Sequence, residues 1–142
     1  MTGVQTCALP ISGEMARFLG ISVEAVQKQR RGIASKIAKE FKVVVVLKGH
    51  KTVVASPMGA LYLNPTGNPG MATAGMGDVL TGMIAALIGQ GLEPYVAAKV
   101  GVYLHGLSGD LASHRVGQVS LLASDVVEAI PSSFYHIGHR RD

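Results

Sequence analysis

An α/β fold is what this sequence predicts, and three observations predict it. A helix-period stretch from about Ser22 to Lys39 runs into "KVVVVLKG", a β-branched run apolar on both faces and closed by glycine. Such a run reads as a fully buried strand of a parallel sheet, because a sheet with one wet face would alternate. Two further runs, "TVVAS" and "ALYLN", flank Pro57-Met58-Gly59, whose turn chemistry makes them a hairpin. Helix, buried strand and hairpin in that order belong to an α/β architecture.

Each element has its own signal. The opening "MTGVQTCALPI" has a short apolar core without a basic region before it, and makes a poor signal peptide. It resembles the translated end of a sequencing-library adapter fused to a coding fragment. Residues 1–12 are therefore expected to be adapter-derived or unstructured, with the native chain starting near Gly13. "GEMARFLG" is a short helical stretch ended by Gly20. Ser22 is a natural N-cap, and Glu24 places negative charge in the next helix's first turn. Val23, Val26, Ile33, Ile37 and Phe41 recur at helical spacing. After the strand and hairpin, 65–74 holds two Pro, two Gly and two Thr and reads as a loop. Residues 77–90 form a helix apolar all round, with Gly91 as its C-cap. Pro94 opens a second apolar helix to about residue 116, where Gly101, Gly106 and Gly109 permit close backbone approach. Ser124 caps a last helix, "DVVEAI", stopped by Pro131, and 132–142 reads as a frayed tail. No repeat or linker splits 13–131.

Composition narrows the function classes. Of 142 residues, 48% are hydrophobic and 15% charged, below the ~25% charge usual for soluble domains. The apolar runs are nevertheless interrupted well short of the ~20 residues that a membrane span requires. The greasy helices are therefore expected to be covered by protein, with no membrane partner. Eight of the 13 basic residues fall between Lys28 and Lys51, without the aromatic interleaving or motif spacing of a nucleic-acid binder. They read as a solvated helix face, with no nucleic-acid partner. One cysteine, Cys7, allows no internal disulfide, which suits a reducing compartment.

The chemistry concentrates in "NPGMATAGMGDVLTG". Glycines at 70, 75 and 77 let backbone approach a ligand, and the following helix aims unpaired N–H groups at the same place. The segment Gly75, Met76 and Gly77 is thus an anion hole suited to phosphate or a developing oxyanion. Neither the P-loop nor the dinucleotide fingerprint fits its spacing. Asp78 stands at the helix head. An N-cap or first-turn carboxylate is a common structural device worth about 1 kcal/mol. Beside an anion site, however, a carboxylate also suits a general base. His105 in "YLHGLSGD" reads as a packed helix histidine bonding a backbone group. Asp110, five residues on, lacks metal-ligand spacing, and Ser108 lacks a base for a hydrolase triad. The six methionines read as core filler.

That string, with "VVLKGHKTVVASP" before it and "GVYLHGLSGDLA" after it, resembles the C-terminal part of the NAD(P)H-hydrate dehydratase family. The resemblance runs from about Gly13 to Pro131 and implies a ribokinase-like fold: the C-terminal half of a three-layer domain with a mostly parallel sheet. It implies ADP-dependent dehydration of hydrated NADH and NADPH, releasing AMP and phosphate, with Mg2+ neutralising the phosphates. By position it assigns Lys48, Gly49, His50, Lys51, Thr52 and Gly77 to the nucleotide, and Asp78 to the hydrated substrate as catalytic base. A cytoplasmic, homo-oligomeric parent is expected, with fusion to an epimerase domain as a further expectation. Two other readings stay open: a ribokinase-like kinase of a small vitamin-precursor alcohol, and an inactive fragment or nucleotide-binding module.

One departure matters. Family members usually carry Thr-Pro-His-Pro-Gly-Glu, whose histidine contacts substrate. Here Pro10, Ile11 and Ser12 precede Gly13-Glu14, so that histidine is absent. The chain is read as half a domain, expected to be inactive alone.

Overall fold

A computed structural model describes residues 7–139. They divide into two compact units. The first runs through Asn64 and includes Leu92–Lys99; the second holds Pro65–Gly91 and the chain from Val100 onward.

The first unit contains β1 (Cys7–Ala8), α1 (Ser12–Leu19), α2 (Val23–Lys28), α3 (Arg30–Phe41), β2 (Val44–Leu47), β3 (Val53–Ala55) and β4 (Leu61–Leu63). The strands form one sheet in the order β1-β2-β3-β4. β2 is buried along its whole length, as a run apolar on both faces requires. It pairs in parallel with β1, Cys7 opposite Val44, and antiparallel with β3, Val46 opposite Val54. The expected hairpin is β3 and β4, with Val54 opposite Tyr62. Its tip leaves Met58 90% exposed, so this methionine is not core filler. Met15, Ala16, Val26, Ala34 and Ile37 from the helices pack on Val45, Leu47 and Val53 of the sheet.

Two expectations are corrected in this unit. Residues 7–12, read as unstructured, carry β1 and the start of α1. The free edge of β2 explains why: Lys48 N donates to Pro10 O at 2.9 Å, so ladder groups that would otherwise lie unpaired find partners. The single helix read over Ser22 to Lys39 is two helices, broken at Gln29 (φ −127°). Its start is as expected, since Ser22 Oγ accepts from Ala25 N at 3.1 Å. Gly20 is the left-handed C-cap of α1.

The second unit contains a 3-10 turn (Pro69–Met71), α4 (Met76–Gly89), the greater part of α5 (Pro94–Val116), and α6 (Ala123–Gly138). Met76, Ala112, Leu121, Val126 and Ala129 form its apolar cluster. The C-cap of α4 is Gln90 rather than Gly91, which follows with φ +99°.

α6 corrects three readings. Its N-cap is Leu122, whose N–H is held by Asp125 Oδ2 at 2.8 Å, and Ser124 lies inside the helix. Pro131 does not stop it, and the helix continues to Gly138 through what was read as a frayed tail. Packing sustains it: Ala129 and Ser133 are both buried on either side of the proline. None of the helices among the described residues is long and apolar enough to cross a membrane.

Candidate functional site

Lys48, Gly49, His50, Lys51 and Thr52 form one tight turn between β2 and β3 in the first unit. Lys51 is held at φ +53° and Gly49 at φ +148°, a value that a side chain would strain. Thr52 Oγ1 donates to Gly49 O at 3.2 Å and ties the turn across its mouth.

Sequence reasoning missed the residue behind this turn. Arg30, counted among the solvated basic face, sends its guanidinium under the turn. Nη1 donates to His50 O at 2.5 Å and Lys51 O at 3.4 Å, and Nη2 to Leu47 O at 2.9 Å. Burial lowers the Arg30 pKa from its ordinary value. A cleft of about 550 Å³ opens beside it, lined in part by Lys28, Arg31, His50 and Lys51. No spacing rule foretells such a contact, which depends on the helix break at Gln29 and on the end of a strand distant in sequence.

Gly75, Met76, Gly77 and Asp78 form the second candidate group, in the second unit. Gly75 sits at φ +86° as the N-cap of α4, and a Cβ there would lie 3.1 Å from Ala123 Cβ. The N–H groups of Met76, Gly77 and Asp78 therefore begin a 14-residue helix with no helical acceptor of their own. They are a ready anion site at the positive end of the helix dipole. Asp78 is exposed in the first turn, and no described residue bonds its carboxylate. Because the cap is Gly75, the N-cap use of Asp78 is ruled out. A first-turn charge or a chemical role remains.

The loop before this helix is clamped from α5. Asp110, which lacks metal-ligand spacing, accepts from Gly67 N through Oδ2 and from Asn68 Nδ2 through Oδ1, both at 2.9 Å. Asn68 Oδ1 in turn accepts from Gly70 N at 3.0 Å. Thr66 Oγ1 donates to Tyr103 O at 2.8 Å. The two bonds to the Asp110 carboxylate are charge-assisted, which makes them the stronger ones here. Asp110→Ala is expected to cost about 1.5 kcal/mol of stability. Amide exchange at Gly67 and Gly70 should speed up more than exchange within α4, which hydrogen-exchange mass spectrometry would resolve.

His105 and Ser108 lie further along the same helix. His105 bonds the Met76 backbone, as a packed helix histidine should, and burial pushes its pKa down to about 4 despite that bond. Its Nε2 is buried without a partner among the described residues. Ser108 Oγ donates to Leu104 O at 2.7 Å and lies 3.0 Å from Ser133 Oγ, so this buried hydroxyl is occupied structurally.

A family model described as NAD(P)H-hydrate dehydratase matches residues 5–132. The chain belongs to the NAD(P)H-hydrate dehydratase family. The match begins ahead of Gly13, in the segment that carries β1. Among relatives of this dehydratase segment, the bifunctional NAD(P)H-hydrate repair enzyme Nnr of Moorella thermoacetica is 55% identical over 122 residues. That alignment covers 86% of this chain and 23% of the relative. The ADP-dependent (S)-NAD(P)H-hydrate dehydratase of Neisseria meningitidis is 46% identical, with 84% of this chain and 41% of the relative covered. The crystal structure of the Bacillus subtilis ADP/ATP-dependent NAD(P)H-hydrate dehydratase, co-crystallised with ATP/Mg2+, superposes with a TM-score of 0.89 at 36% identity. It covers 93% of this chain and 48% of that one. A ribokinase-like superfamily protein of Enterococcus faecalis superposes at 0.72 with 30% identity, covering 92% of this chain and 44% of that one. The dehydratase segment thus has a ribokinase-like fold and spans less than half the length of these relatives.

Proposed function

We propose that the protein carrying this segment dehydrates hydrated NADH and NADPH at the expense of ADP, releasing AMP and phosphate. The observation that supports this best is Asp78 in the first turn of α4, exposed, uncapping, and adjacent to the unpaired N–H groups at Met76 and Gly77. A base and an anion hole in one helical turn suit phosphoryl transfer. Asp78 takes the proton of the hydrate's hydroxyl, and the freed oxygen pair attacks the terminal phosphorus of ADP with AMP leaving. Expulsion of phosphate, with loss of a proton from the adjacent ring carbon, then restores the ring double bond. The turn Lys48–Thr52 holds the nucleotide: two ammonium groups and free backbone suit a diphosphate.

Among the described residues no three metal-ligating side chains gather. The lone carboxylate of Asp78 suits Mg2+ held chiefly by substrate phosphates, whose charge the ion offsets when bound. A homo-oligomeric, cytoplasmic parent belongs to the same proposal.

The test joins residues 13–131 to the amino-terminal part of the Bacillus subtilis relative and supplies hydrated NADH with ADP. Recovery of NADH absorbance with equal release of AMP and phosphate is expected. A stable phosphorylated hydrate as the end product would replace this reading with that of a kinase.

A further inference from the structure

Arg30 spends its charge on backbone. Its two terminal nitrogens collect the carbonyls of Leu47, His50 and Lys51, while Thr52 Oγ1 takes that of Gly49. Four carbonyls in a five-residue stretch are thereby drawn to internal donors. The N–H groups of Gly49, His50 and Lys51 donate to no backbone acceptor among the described residues. A turn whose carbonyls are sequestered presents its amides, and successive free amides make an anion-binding concavity. Without the guanidinium, the same carbonyls would be free to turn toward the site and repel phosphate.

Two details argue that this contact is built in. A Cβ at Gly49 would lie 3.0 Å from Arg30 Nη2, so glycine leaves room for the guanidinium as well as permitting the backbone angle. Arg30 also keeps its Nε buried and without a partner among the described residues, a cost accepted to place the other two nitrogens. A single ammonium could not reach carbonyls spread over three residues, whereas the planar fork does.

We propose that Arg30 is the positioning residue of the nucleotide turn, holding Lys48–Thr52 with its amides toward the diphosphate of ADP. This rests on the proposed role of that turn, and the test separates the two. The full 142-residue chain is titrated with ADP by calorimetry, alongside Arg30→Gln, Arg30→Lys, Gly49→Ala and the core substitution Ile37→Val. Amide chemical shifts are followed at 49–52 and at 45–47 without ligand.

Arg30→Gln and Arg30→Lys are each expected to weaken ADP on the order of tenfold, with amide chemical-shift changes concentrated at 49–52. Lysine should not rescue. Gly49→Ala should act in the same direction by displacing the guanidinium, which keeps the idea testable if Arg30 variants fold poorly. Ile37→Val should leave ADP affinity unchanged. Unaltered ADP affinity and loop chemical shifts in the Arg30 variants would overturn the positioning role alone. Failure of the unsubstituted chain to bind ADP would overturn the nucleotide reading and this inference with it.

Discussion

Asp78→Asn, in a full-length enzyme carrying this segment, is expected to retain ADP binding and lose turnover by on the order of 10² to 10⁴. The substitution is nearly isosteric, and what it removes is the ability to accept a proton. Structural side effects are small because Gly75, not Asp78, caps α4. Loss of a first-turn charge costs only about 0.3–1 kcal/mol of helix stability. The amides of Met76 and Gly77 at the start of α4 are untouched. Single-turnover rates with saturating ADP, read beside a melting curve, separate the possibilities. Near-normal turnover in the variant would leave Asp78 as a helix-dipole charge and return the search for a base to residues outside this segment.

How much of this was legible without coordinates depends on the range of the interaction. β2 and the β3–β4 hairpin could be read because β-branched runs and turn residues act locally. The glycine-capped start of α4 could be read because glycine spacing and a following apolar helix lie within twenty residues. Arg30 could not. Its partners are the carbonyls of a turn seventeen or more residues away, and a carbonyl leaves no mark in a sequence. The break at Gln29 was hidden for a related reason: Val26 and Ile37 keep their helical spacing across it, and both are buried.

Pro131 misled in the opposite direction. A proline removes one helical hydrogen bond and usually ends a short helix. In α6 the residues beyond it are held by Ser133, whose Oγ donates to Ile130 O at 2.8 Å and adjoins Ser108 on α5. Tertiary packing outweighed a local signal, which single-sequence reading cannot weigh. Asp110 was set aside for a sound reason, its unsuitability as a metal ligand. Its acceptors were nonetheless satisfied by Gly67 N and Asn68, forty-odd residues upstream.

His105 carries the last expectation, a loss of stability on mild acidification. Its ring is buried, and its pKa falls from 6.5 to about 4, chiefly because burial penalises the charged form. The Met76 backbone bond opposes the shift and is outweighed. The sign follows from linkage. Above pH 6.5 the ring is neutral folded and unfolded, so nothing is lost. Below 6.5 the unfolded chain takes up a proton that the folded chain refuses, and stability falls with pH until the folded ring also protonates near 4. Between pH 6.5 and 4 the stability lost this way is on the order of 3 kcal/mol. Protonation would place charge on a ring whose Nε2 has no partner among the described residues, beside the first turn of α4. Denaturant unfolding at pH 7 and pH 5, compared between the native chain and His105→Gln, isolates the effect, because the other titrating groups are common to both. The native chain should lose more stability between the two values than the variant. Equal losses would mean that His105 is solvated well enough to charge freely, and that α5 does not press it against the glycine loop as tightly as its buried nitrogen implies.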